Sequence, residues 1–180
     1  MAVYSIECYP WGGDYRPRAQ AEIHSTEEGI AVKLTAWEQQ IQAKEARFGG
    51  PVCVDSCLEF FFLPTAEKDL RYINIEVNPL GTMHIGIGEG RNGRVVLTEP
   101  PKGIDVAVEI EEGEWWVVKY VLPYPWIESL FPDFDRAAGQ IMGNFYSCDE
   151  SIHPHFGTAF AVVASQPDFH RPECFSEIEY

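Results

Sequence analysis

Positive charge is scarce in this sequence: 13 Lys and Arg stand against 28 Asp and Glu, a formal net charge of −15 over 180 residues. A chain this acidic repels phosphate backbones and anionic lipid headgroups, which argues against nucleic acid and membrane surfaces as partners. No run of 18 apolar residues occurs, so no transmembrane helix is expected. The first ten residues contain Glu7 and have neither a basic start nor an apolar stretch, so no secretory signal is read there. Asn-x-Ser/Thr acceptors are missing, and the five Cys are odd in number with no disulfide-framework spacing. These absences predict a cytoplasmic protein with reduced thiols, or a secreted one whose signal has been removed.

Catalytic and metal motifs are thin as well. There is no G-x-S-x-G, no H-E-x-x-H and no repeated C-x-x-C. Gly88-Glu89-Gly90-Arg91-Asn92-Gly93 fits the dinucleotide-binding glycine pattern, but strand-forming residues follow it where a helix is required. It reads as a hairpin turn. Cys53 with Cys57, and Cys148 with His153 and His155, fall short of zinc-ligand spacing and read as thiols and loop histidines. Asp133 and Asp135 supply two carboxylates where calcium takes about 6–8 oxygens.

What is present is a series of strand-like runs separated by turn signals such as Gly12-Gly13, Gly49-Gly50-Pro51, Asn92-Gly93 and Glu112-Gly113. This spacing predicts one all-β domain over residues 1–180, an antiparallel two-sheet β-sandwich of jelly-roll or immunoglobulin-like type with one short connecting helix. Strands are expected at 20–25, 30–37, 58–63, 72–78, 83–88, 95–98, 104–110, 115–122, 140–147 and 156–164. The helix is expected at 126–131, after Pro123 and Pro125. Periodicity does not decide between helix and loop for 37–47.

Alternation assigns faces to the strands. Ile73, Ile75 and Val77 point one way, and Tyr72, Asn74, Glu76 and Asn78 the other. Ile141 and Phe145 oppose Gln140, Met142, Asn144 and Tyr146. Leu58, Phe60 and Phe62 oppose Glu59 and Phe61. The polar faces mix amides, carboxylates and phenols without Lys or Arg, a composition suited to hydrogen-bonding hydroxyl groups. Gly86 and Gly88 leave a bare face on the strand at 83–88, where a ligand could approach closely.

Three segments resemble the carbohydrate-binding module family 9-like domains, of the DOMON-like β-sandwiches. Val54-Asp55-Ser56-Cys57-Leu58-Glu59-Phe60-Phe61-Phe62 is similar to an Asp-Ser-Val-Glu-hydrophobic-Phe strand. Tyr72-Ile73-Asn74-Ile75-Glu76-Val77-Asn78, followed by Gly81, is similar to a Tyr-x-Phe-x-Val-Asn strand. Phe169-His170-Arg171-Pro172-Glu173-Cys174-Phe175 is similar to a closing Trp-x-x-Pro-x-x-Phe-Gly segment. The resemblance implies a non-catalytic sandwich holding the end of an oligosaccharide or polysaccharide between aromatic rings, with structural calcium in family members. By position, Glu59 and Asn78 match polar sugar contacts and Phe169 one aromatic clamp. Glu76 stands where a binding Arg would be expected. The second clamp should precede Asp55, where Pro51-Val52-Cys53 stands, and Phe48 is the nearest upstream ring.

The expected carbohydrate contacts are therefore Glu59, Tyr72, Asn74, Glu76, Asn78, Asn144, Tyr146, Phe169 and His170, with Tyr146 and Phe169 stacking on the sugar. Three alternatives stand beside this reading. Glu59 and Glu76 could act as a glycosidase pair. Met83 and His170 could be axial ligands of a haem. A protein-interaction sandwich could have lost the sugar site. No oligomeric state follows from the sequence.

Overall fold

A computed structural model describes residues 1–66, 68–151 and 153–180. Thirteen strands form among these residues: β1 (Ala2–Ile6), β2 (Cys8–Gly12), β3 (Arg18–Ser25), β4 (Gly29–Trp37), β5 (Cys57–Leu63), β6 (Tyr72–Val77), β7 (Met83–Gly88), β8 (Val95–Val96), β9 (Ala107–Glu111), β10 (Trp115–Pro123), β11 (Gln140–Asp149), β12 (His155–Thr158) and β13 (Ser176–Glu179). One α-helix, α1 (Tyr124–Leu130), follows β10. The strands make two antiparallel sheets. One has the order β1-β3-β4-β10-β9; the other runs β2-β12-β11-β5-β6-β7-β8, with β13 pairing β11.

The alternation expected on β5, β6 and β11 fixes how the sheets face each other. Leu58, Phe60, Phe62, Ile73, Ile75 and Phe145 enter the core between them. They meet Ile23, Val32, Leu34, Trp116 and Val118 of the first sheet. Phe60 stacks on Phe62 at 4.7 Å and on Phe145 at 4.6 Å, so the core is aromatic as well as aliphatic. Burying a side chain of this size stabilises by roughly 1.5–3 kcal/mol. A buried polar link also ties the two sheets together. Glu38, just after β4, accepts from Trp116 Nε1 at 2.6 Å and lies 2.9 Å from His155 Nε2 on β12.

The segments that depart from expectation do so through side-chain-to-backbone bonds. Residues 38–47 are a loop: the Asp55 carboxylate accepts from the Lys44 and Glu45 amides and Ser56 Oγ from that of Gln42, at 2.8–3.1 Å. The strand expected over 156–164 stops at Thr158, because the Asn144 amide takes both the N–H and the C=O of Phe160, each at 3.0 Å. The strand expected from Ile104 starts at Ala107; it is an edge strand, and Ile110 is 48% exposed. β1, β2 and β13 were not expected. β2 carries Pro10, tolerated on an edge, and β13 is a short polar strand reading Ser-Glu-Ile-Glu.

Candidate functional site

The outward face of β5, β6 and β11 is not an open platform. The closing segment, 165–175, crosses it and builds a second small core. Phe61, Leu63, Tyr72, Tyr146, Val162 and Phe175 are buried there, with Trp11 and Phe169 packed against them. Phe169 lies flat on Tyr146, ring centroids 4.1 Å apart and 13° from parallel. The Tyr146 hydroxyl donates to the Phe169 carbonyl at 3.2 Å. The Tyr72 hydroxyl is 2.6 Å from His170 Nδ1. The two tyrosines thus support the closing segment and are sealed beneath it. Phe169 keeps one face against Tyr146, and Phe156 meets it edge-on at 6.3 Å.

The bare face of Gly86 and Gly88 is filled as well. Arg94, across the β7–β8 hairpin, lays its guanidinium into it. It donates to Asn74 Oδ1 twice and to the carbonyls of Tyr72, Gly86, Gly88 and Gly90, at 2.6–3.1 Å. It also sits 3.9 Å from the centroid of the Tyr72 ring. A Cβ on Gly86 would come within 2.4 Å of Asn74 Oδ1, so the glycine makes room for this network rather than for a ligand. Antiparallel pairing of Gly86 with Val96 sets Arg94 opposite Gly88, a relation readable once the hairpin register is known.

The amides are similarly committed. Asn78 donates to the Glu45 carbonyl and Asp55 Oδ2 and accepts from the Leu80 and Thr82 amides, all at 2.8–3.1 Å. Asn144 is spent on the Phe160 backbone. Asn74 donates its N–H to Glu76 Oε1 at 2.9 Å and accepts from Arg94. All three are fully buried.

One part of the face remains reachable. A cavity of about 80 Å³ is floored by Glu59, Glu76, Phe61 and Cys148 and walled by Cys53, Glu150 and Phe156. Arg91, Asp168, Phe169 and His170 stand over it. Of the nine residues expected from the sequence, the structure brings Glu59, Glu76, Phe169 and His170 to this cavity. Tyr72, Asn74, Asn78, Asn144 and Tyr146 are placed outside its lining. Cys53, Cys148, Arg91 and Glu150 were not anticipated there. Cys148 lies on the same face as Glu59 by alternation; the other three come from loops whose course the sequence leaves free.

Glu59 and Glu76 pair directly across β5 and β6. They are 2% and 7% exposed. Burial pushes the carboxyl of Glu59 well above the usual range, and the neighbouring Glu76 pushes it further. Burial raises Glu76 too, opposed by His84, Asn74 and Arg94. The Cys148 thiol bonds Glu59 Oε1 at 3.1 Å. His170 is driven down to about 4 by burial and by Arg94 and Arg91, so it is neutral at pH 7. Arg91 Nη1 bonds Asp168 Oδ1 at 2.9 Å, clipping the β7–β8 hairpin to the closing segment above the cavity.

The aspartates that could serve calcium have protein partners. Asp133 bonds Lys68, Asp135 caps the turn at Ala137, and Asp55 is filled by amide donors. Haem ligation by Met83 and His170 is excluded by geometry. Met83 points into the main core, on the opposite face of the sheet from His170.

Several solved structures share this fold. A Bacteroides uniformis ATCC 8492 protein, provisionally assigned to carbohydrate binding, superposes with a TM-score of 0.82 at 24% identity, covering 99% of this chain and 85% of that one. A family 9 module from Caldicellulosiruptor kristjanssonii, solved with glucose and with cellotriose, superposes in both cases with a TM-score of 0.66 at 8% identity. These alignments cover 99% of this chain and 83% and 81% of the two structures. No curated protein matches the chain at a significant level. The sequence profile of carbohydrate-binding family 9 matches residues 1–180, its whole length, and the chain belongs to that family.

Proposed function

We propose that the protein binds carbohydrate, without turning it over, at the cavity floored by Glu59 and Glu76. The observation that carries this reading is a pair of buried carboxyl groups with spare acceptor capacity, open to a cavity with an aromatic ring at its rim. A carboxylate has about four acceptor positions. Among the described residues, Glu59 fills one with a thiol and Glu76 one with an amide. Buried acceptors without donors are costly, and a ligand rich in hydroxyls supplies donors at close spacing. Phe169 offers an apolar surface for the C–H face of a pyranose, and Arg91 a donor at the mouth. The solved family 9 module bound to glucose and cellotriose supports the ligand class.

A glycosidase needs its two carboxyl groups on opposite sides of the scissile bond. Glu59 and Glu76 are neighbours on one wall, so both meet the same side of a ligand. That arrangement holds a sugar and does not cleave it.

Calorimetric titration with a panel of mono- and oligosaccharides tests the reading. Saturable binding by one sugar class, weakened about tenfold in Glu76→Gln and less in Phe169→Ala, is the expected result. Absence of heat and of any thermal shift up to high millimolar sugar would overturn it, and release of reducing sugar would overturn its non-catalytic half.

A further inference from the structure

Beside Glu59 lie two thiols that sugar binding leaves unexplained. Cys57 on β5 and Cys148 on β11 are direct cross-strand partners, and Glu59 sits two residues along β5 on the same face. Their three ligand atoms, two Sγ and one carboxylate oxygen, all lie within 4.8 Å of one another. All three residues are 2% exposed or less. No cationic side chain pairs with Glu59 or either thiol among the described residues; the closest bonded partner of Glu59 is the Cys148 thiol itself. We propose that Cys57, Cys148 and Glu59 hold a thiophilic divalent cation, zinc in the first instance, at the floor of the cavity.

The geometry suits such an ion. With zinc–sulfur bonds of about 2.3 Å, tetrahedral ligand atoms stand about 3.8 Å apart. The pocket of three spans that separation, with Cys148 Sγ and Glu59 Oε1 at 3.1 Å and the whole set inside 4.8 Å. Two thiolates and one carboxylate favour a soft or borderline cation over calcium or magnesium. The three groups sit on adjacent strands of one sheet, so their spacing is held by the ladder rather than by mobile loops. An entry path exists, because Glu59 and Cys148 both line the cavity. A fourth ligand could come from the cavity side, where the half-buried Cys53 also stands. Binding is an exchange: each thiol, and the Glu59 carboxyl when protonated, releases its proton to solvent as its bond to the metal forms, and the cation compensates the negative charge that burial alone disfavours.

The inference goes beyond carbohydrate binding and does not depend on it, so its test contains no sugar. The whole protein, reduced with a phosphine, is titrated with cadmium and with cobalt, and zinc affinity is measured by competition with a chromophoric chelator. One equivalent is expected to saturate a thiolate-to-metal charge-transfer absorption. Cys57→Ser and Cys148→Ser should each weaken zinc binding by about a hundredfold or more, and Glu59→Gln by about tenfold, on the scale of losses at metal sites. Cys8→Ser and Cys174→Ser should leave it unchanged. Charge-transfer absorption retained in a folded Cys148→Ser variant would overturn the assignment. So would fewer than five free thiols in the denatured wild-type protein, which would mean a disulfide in place of a site. Should the serine variants fail to fold, zinc-edge X-ray absorption on the wild-type protein decides. Two sulfur scatterers with lighter atoms support the site, and a shell without sulfur, or no retained zinc, refutes it.

Discussion

The face of β5, β6 and β11 that points away from the core has two parts of contrasting fate. Phe61, Tyr72 and Tyr146 are sealed under the closing segment and Asn74 under Arg94, and each polar atom has a protein partner. Beside them, Glu59, Glu76 and Cys148 are as deeply buried but border a cavity, and the carboxyl groups have acceptor positions to spare. Burial alone therefore does not mark function on this face. What separates the parts is whether hydrogen-bonding capacity is filled from within the chain. A filled group stabilises the fold, while an unfilled one leaves acceptor capacity that a ligand could use.

That contrast can be broken by substitutions whose effects should fall on stability in one part and on binding in the other. The largest stability effect is expected at Arg94→Ala, which removes a guanidinium whose five N–H groups serve Asn74 and four carbonyls and leaves those acceptors short of donors. Urea denaturation should show a loss of about 4 kcal/mol, with sugar affinity of the folded fraction intact. Asn78→Ala should cost about 3 kcal/mol in the same measurement, again without weakening sugar binding, because its four bonds hold the turn at Leu80–Thr82 and the Asp55 loop. A drop in affinity with unchanged stability at Asn78 would erase the distinction between the two parts.

The opposite pattern is expected at the cavity. Glu76→Gln should lower affinity for the bound sugar by about tenfold, near 1.4 kcal/mol, with unfolding free energy held or raised, since a buried carboxyl is replaced by a neutral amide. Phe169→Ala should weaken binding by about 1 kcal/mol through the lost ring surface, with a comparable loss of stability, since its other face covers Tyr146. It straddles both parts and should be the least selective variant.

A pH series sharpens the comparison from outside the cavity. Burial lowers the pKa of His155, but the adjoining Glu38 outweighs that and leaves it raised. The stability His155 contributes is therefore complete below its unfolded value of about 6.5 and is lost as pH rises through the higher folded value. Wild-type unfolding free energy should fall over that window and that of His155→Gln should not, whereas sugar affinity should track the cavity groups instead.

Several features were readable in the chain as written. Period-two alternation on β5, β6 and β11 set the core face, because the pleat allows a strand only two sides. Strand spacing and turns gave the sandwich, and alternation set Glu59 and Glu76 on the face away from the core for the same reason. Side-chain satisfaction was not readable. Asn78 and Asn144 share residue type and face with any ligand-binding amide, and only the loops at Leu80–Thr82 and Phe160 reveal that they are spent. Phe48, the nearest ring upstream of Asp55, packs against the main core, and Phe156 instead reaches the cavity from β12.

By itself, the sequence determined the class of fold, the acidic net charge, and the pair of carboxylates set side by side on one sheet face. These follow from local periodicity and composition, which need no knowledge of distant contacts. The tertiary structure alone decided that Arg94 fills the glycine hollow, that the closing segment seals the tyrosines, and that Cys57 and Cys148 meet beneath Glu59. The last two join residues far apart in the chain, and the first depends on the register of the β7–β8 hairpin. Their meeting depends on strand order and register, which hydrogen bonding between strands selects only as the sheet assembles.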